Sequence, residues 1–337
     1  MTLPDDFDPA DPVWLAHRHD RASDRIMYHH VPRAMHRAGP FLTDALVGDR
    51  PRAIFGRAEA IARARTNTAP VHFILHSAFC ASTLLVRAFD MPGVAMGLSE
   101  PVLLNDVTGV HRRGERKGAE LARLLDESVT LLARRWGAGE SVVVKPSNII
   151  CGLQRPLLAL RPQSRALLLH APLRTFLVSV AHKGLWCRLW VRELLEGLLR
   201  EGLVELGFAP ADYFRLSDLQ VAAVGWLVQH RQFAVIAGQF PTRVRSLDSE
   251  RLLADPDAAL AAVATLFGLT DVRALTSNAA FARHSKSGAA FTRADRAAQH
   301  AAAIAAHGEE IDKVHAWAVA LAGTAGIEMT LPLPLLP

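Results

Sequence analysis

Residues 71–87 read VHFILHSAFCASTLLVR. The first five are mostly apolar, and so short a run predicts a strand covered on both faces. Ser77, Ala78 and Ala81 are small, interrupted by Phe79 and Cys80. Ser82 and Thr83 are then expected to cap a helix through Leu84, Leu85 and Ala88. A helix that starts directly after a strand presents unpaired backbone N–H groups and a partial positive charge, a setting that suits phosphate. The same residues also fit an ordinary strand-to-helix turn, so this stretch alone leaves both readings open.

Outward from this stretch, strands and helices alternate. Residues 93–98, 141–145, 166–170 and 242–247 read as four more strands, and 119–136 as an amphipathic helix with Leu121, Leu124, Leu125, Val129 and Leu132 on one stripe. Two mainly helical stretches follow at 185–206 and 217–237. Asp255-Pro256 opens a further helix by rule, with Asp as N-cap, Pro at the first position and Gly268 past the end. Thr292 and Asp295 have capping-box spacing ahead of an Ala-rich helix running to residue 322. The tail LPLPLLP is expected to be extended. Residues 1–20 read as an arm, 53–64 as helical, and 273–292 show no clear period. The expected architecture is α/β: a parallel sheet of about five strands wrapped by helices, with helical insertions. It is divided into an arm with packing helices over 1–66 and a single domain over 67–330.

The chain has 337 residues, 50% hydrophobic and 21% charged, with 38 basic against 33 acidic residues and a net charge of +5. The excess is spread along the chain; it fits an anionic ligand and does not indicate nucleic acid. Three cysteines (Cys80, Cys151, Cys187) without CxxC spacing point to reduced thiols, not a zinc site or a disulfide frame. The acidic, Pro-bearing start is unlike a signal peptide. No uncharged apolar run reaches the roughly 18 residues of a membrane span. Cytoplasm is the expected location, and oligomeric state is not legible.

Ligands in open parallel sheets sit beyond the carboxyl ends of the strands. Polar residues gather there: Ser82 and Thr83, Glu100, Lys145 to Asn148, Arg174 and Ser179. In this order the chain resembles the P-loop sulfotransferase superfamily over roughly residues 71–292. HSAFCASTLL, after the first strand, is similar to the family's 5′-phosphosulfate loop, usually PRSGTTLL or PKSGTTW. LHAPLRTFLVSV is similar to the 3′-phosphate signature, with Arg174 and Ser179 in register. RSLDSERLLADPDAALAAVATLFGL resembles the segment YEDLLADP…FLGL, with Glu250 in the acidic position. FARHSKSGAAFT resembles the loop FMRKGKVGDW…F that closes over the 3′-phosphate, placing Arg283, His284, Ser285 and Lys286 there.

The resemblance implies transfer of a sulfuryl group from 3′-phosphoadenosine-5′-phosphosulfate (PAPS), a co-substrate, to a hydroxyl or amine of a small molecule or glycan, with no metal. It implies donor contacts from Ser77, Cys80, Ala81, Ser82, Thr83, Arg174, Ser179, Arg283, His284, Ser285 and Lys286. Lys145 stands like the family's strand-end lysine, able to meet the bridging oxygen, and Glu100 is the best substitute for the base. The loop departs from the pattern: Phe79 replaces a cation, Cys80 a serine and Ala81 a glycine, and His170 replaces an arginine. Ala81 restricts the backbone wherever φ must be positive.

Cys80 lies beside a helix start, which lowers a thiol's pKa, but no base is near it in sequence. His182 and Lys183 are candidate acceptor-site groups, and Trp186 and Trp190, four apart, are expected to pack, with lining of a substrate cleft as the alternative. Two other readings remain open. One is a nucleotide-binding or phosphotransfer protein, against which the GxxxxGK pattern is missing. The other is a non-catalytic binding protein that kept the sheet and lost the chemistry.

Overall fold

The computed structural model describes residues 3–270 and 293–336, and its first strands lie where the sequence suggested an arm. β1 (Trp14–Asp20), β2 (Arg25–His30) and β3 (Arg52–Gly56) form an antiparallel sheet in that order. Their buried polar residues hid the period: His17, His19 and His29 alternate with Trp14, Ala16, Ile26 and Tyr28, all buried. His29 packs edge-on to His17, and its neighbour His30 to Trp14, the opposed directions a strand imposes. Two helices belong to this region, α1 (Asp44–Val47) and α2 (Arg57–Ala64).

From β4 (Val71–His76) the chain alternates as expected: α3 (Ser82–Ala88), β5 (Ala95–Ser99), α4 (Val102–Arg112), α5 (Gly118–Leu132), β6 (Ser141–Lys145), α6 (Gln154–Leu160) and β7 (Ala166–His170). α7 (Leu173–His182), α8 (Gly184–Arg200) and α9 (Asp218–Gln239) precede β8 (Val244–Asp248). α10 (Ser249–Ala254), α11 (Pro256–Phe267) and α12 (Arg293–Thr324) complete the α-helices of the described residues. Asp255 caps α11 by accepting from Ala258 N (3.0 Å), and Gly268 closes it at φ +70°. The Thr292 half of the capping box lies outside the described residues.

The five strands form one parallel sheet in the order β5-β6-β4-β7-β8. Both faces are covered, as continuous apolar strands require. Ile74, Val143, Leu167 and Leu169 enter one core; Phe73, Leu75, Val142, Val144 and Leu168 enter the other. The order reverses beside β4, so the crevice at its carboxyl end is the favoured ligand position for this topology. Residues 331–336 run along the outer edge of β8, with Ser246 N donating to Leu333 O (2.9 Å) and Leu335 N to Ser246 O (2.8 Å). Among the described residues no helix is long and apolar enough to cross a membrane.

Candidate active site

A cleft of about 920 Å³ opens at the carboxyl ends of β4, β5 and β6. Its floor is the β4–α3 loop. Ala78 (φ +69°), Phe79 (+51°) and Ala81 (+62°) all take left-handed backbone, a region that costs a side-chain-bearing residue roughly 1 kcal/mol or more. Ala81 is the N-cap of α3 and supplies no side-chain cap. Ser82 and Thr83 are therefore the first helical residues, not its caps, and both line the cleft. The first bond of the helix runs from Leu85 N to Ala81 O (3.1 Å), which leaves the amides of Thr83 and Leu84 without an intrahelical acceptor.

Across the cleft stands Glu100, also left-handed at φ +49°. Its amide donates to Lys145 O (2.7 Å), continuing the β5–β6 register in which Ser99 faces Lys145. The same pairing brings the side chains together: Lys145 Nζ donates to Glu100 Oε1. Lys145 is wholly buried, lies 5.1 Å from the Phe41 ring centroid and is not part of the cleft lining. Burial pulls its pKa down, and the Glu100 carboxylate opposes the shift. The lysine thus stands behind the carboxylate, outside the cleft lining. Glu100 lines the cleft, and among the described residues only its Oε1 has protein partners.

His76, the last residue of β4, ties these parts together. Its Nδ1 accepts from Ala78 N (3.1 Å), so its Nε2 carries the proton and donates to Pro146 O (3.1 Å). Nε2 also lies 3.7 Å from Glu100 Oε1. One ring thereby fixes the strained loop to the end of β6. A polar residue ending an apolar strand was the sequence signal for it. Phe41, Arg296 and His300, which also line the cleft, carry no local signal, because only the fold brings them near.

The other expected site residues divide. Ser179 lines the cleft and back-bonds to Thr175 O (3.0 Å). His182 and Lys183 line it too, and Lys183 Nζ stands 5.6 Å from the Phe79 ring centroid. Glu250 is on the wall, held by Arg296 (Nη1–Oε2 3.0 Å, Nη2–Oε1 2.6 Å). Cys80 has no exposed surface, and burial pushes its thiol up, opposite to an activated nucleophile. Ser77 lies outside the lining; its Oγ accepts from Ala171 N (3.2 Å) and joins β4 to β7. Arg174 also lies outside it, with Nε donating to Asp312 Oδ1 of α12 (2.9 Å). Trp186 and Trp190 both line the cleft, the alternative to simple packing; Trp190 also packs on Phe79, and Trp186 is 64% exposed. Arg283, His284, Ser285 and Lys286 lie outside the described residues. Among the described residues no group of three or more His, Cys, Asp or Glu is arranged to hold a metal.

The fold and cleft are those of an α/β protein built on a five-stranded parallel sheet. No family model matches the chain, and no curated protein matches it. Among solved structures it is similar to the sulfotransferase domain from the curacin biosynthetic pathway, at 14% identity and a TM-score of 0.41, over 64% of this chain and 78% of that one.

Proposed function

We propose that this chain is a sulfotransferase-type group-transfer enzyme, with PAPS as donor and a hydroxyl or amine as acceptor. The observation that carries the reading is the concentration of backbone strain. Of six non-glycine residues with positive φ among those described, four (Ala78, Phe79, Ala81 and Glu100) line this one cleft. Strain of this kind persists where surrounding structure over-determines it, and it gathers at active sites.

The residues present suit a phosphosulfate. The Thr83 and Leu84 amides and the Ser82 and Thr83 hydroxyls can donate to its oxygens, and Lys183 supplies a cation at the lining. In the transfer, the acceptor oxygen or nitrogen attacks sulfur in line. The bond from sulfur to the bridging oxygen breaks, and its electron pair leaves with the phosphate as 3′,5′-adenosine bisphosphate. Glu100 Oε2 takes the acceptor's proton, while Lys145 and His76 hold the carboxylate in place. Lys145 is then a positioning residue.

Calorimetric titration with 3′,5′-adenosine bisphosphate, against AMP and ATP, tests the donor assignment. Micromolar binding that Thr83→Ala or Lys183→Ala weakens at least tenfold is expected. Preference for ATP, or no binding of the bisphosphate, would overturn it.

A further inference from the structure

Part of the cleft lining is apolar, begins at Phe79 of the β4–α3 loop and continues onto the surface. Phe41, Phe79, Trp186, Trp190 and Ile304 form it. Trp190 packs edge-on to Phe79 with centroids 5.6 Å apart, which fixes the inner end. The outer end lies on the first turns of α8, where Leu185 is 70%, Trp186 64% and Leu189 54% exposed. These residues share one side of the helix with Trp190. The basic residues of the same turns are engaged elsewhere: Arg188 pairs with Asp218 and Glu310, and Arg192 with Asp218. An apolar face of this kind at the mouth of a cleft marks a binding surface.

Much of the polar lining is already satisfied by protein. The Asn148 side-chain amide donates to Gln229 (3.1 Å), Ser179 donates to Thr175 O, and Glu250 and Arg296 hold each other. A sugar ring would bring several hydroxyls that need partners, and each one buried without a partner is costly. An alkyl or aryl body asks for none and gains from covering the tryptophans.

We infer that the acceptor is an amphiphile: a single alcohol or amine on an uncharged alkyl or aryl body, seated along Phe79, Trp190 and Trp186 with its nucleophile at Glu100, and not a glycan. This rests on the reading of Glu100 as the base of a transfer reaction.

The test is calorimetric titration of the full chain with 1-octanol and 2-naphthol, against methyl glucoside and N-acetylglucosamine, with and without 3′,5′-adenosine bisphosphate. The apolar alcohols are expected to bind at least tenfold more tightly than the sugars, with a negative heat-capacity change. Trp186→Ala, at an exposed position where folding is not at stake, should weaken them about tenfold. Sugars binding as well as or better than the alcohols, or alcohol binding indifferent to Trp186, would overturn the inference even if the bisphosphate binds. Trp186-dependent alcohol binding without bisphosphate binding would sustain the apolar site and remove the donor assignment instead.

Discussion

Glu100 and Lys145 share one contact across two strand ends, and their burial differs sharply: the lysine side chain is 0% and the glutamate 18% exposed. Removing one member of such a pair leaves the other charge buried and uncompensated, which costs about 3 kcal/mol or more. Glu100→Gln is therefore expected to lower unfolding free energy by about 3 kcal/mol, read by urea denaturation, and to abolish transfer. The double variant Glu100→Gln with Lys145→Met should recover most of the stability and none of the activity. Recovery of activity would exclude Glu100 as the base. At Ala81, a glycine would remove the left-handed penalty at φ +62°. Ala81→Gly should stabilise the fold by about 0.5–1 kcal/mol in spite of its looser unfolded chain. Both acidic and basic residues were legible as strand-end polar groups. Their pairing was not, because it depends on β5 lying beside β6, and adjacency of strands is not written in either strand.

At the scale of elements, β5 and α3 approach as closely as backbone allows. A Cβ on Gly97 would meet Val86 O at 2.1 Å. Gly97→Ala must push α3 away from the sheet, and with it Ser82 and Thr83. The expected cost is about 2–3 kcal/mol of stability, together with a loss of ligand affinity at the cleft larger than the loss from Val86→Ala. The parallel strands were legible because burial on both faces leaves them almost wholly apolar; 141–145 and 166–170 match to the residue. β1 to β3 were not, because WLAHRHD and RIMYHH bury histidines in place of the expected apolar alternation. The α11 boundaries were legible for a local reason: Asp255, Pro256 and Gly268 each act within a single turn.

At the scale of the molecule, buried histidines shape the upper part of the acid limb of stability. Burial pushes His36 and His72 down to about 4 and His230 down to about 3, and it also lowers His170. Their ordinary value is about 6.5. Between these values the unfolded chain binds protons that the folded chain refuses, so stability rises with pH. Their contribution is fully present above about pH 6.5 and is lost as pH falls toward 4. Urea midpoints measured at pH 7.5, 6.5, 5.5 and 4.5 should change least between the first two and drop steeply between the last two. Replacing His72, which stacks on Phe267 with centroids 5.1 Å apart, by Phe should flatten the limb. An unchanged slope would remove His72 from the account.

The strip at 331–336 beside β8 has a consequence for how the molecule meets its neighbours during synthesis. β8 borders the parallel sheet, and the outer N–H and C=O of its middle residue, Ser246, are taken by residues far along the chain, Leu333 and Leu335. Pro332 and Pro334 in that strip have no amide hydrogen to offer a further strand. A nascent polypeptide that has emerged only to residue 330 therefore displays a bare strand margin, open to annealing with another ribosome's product. The seating of this short strip covers the middle of that margin.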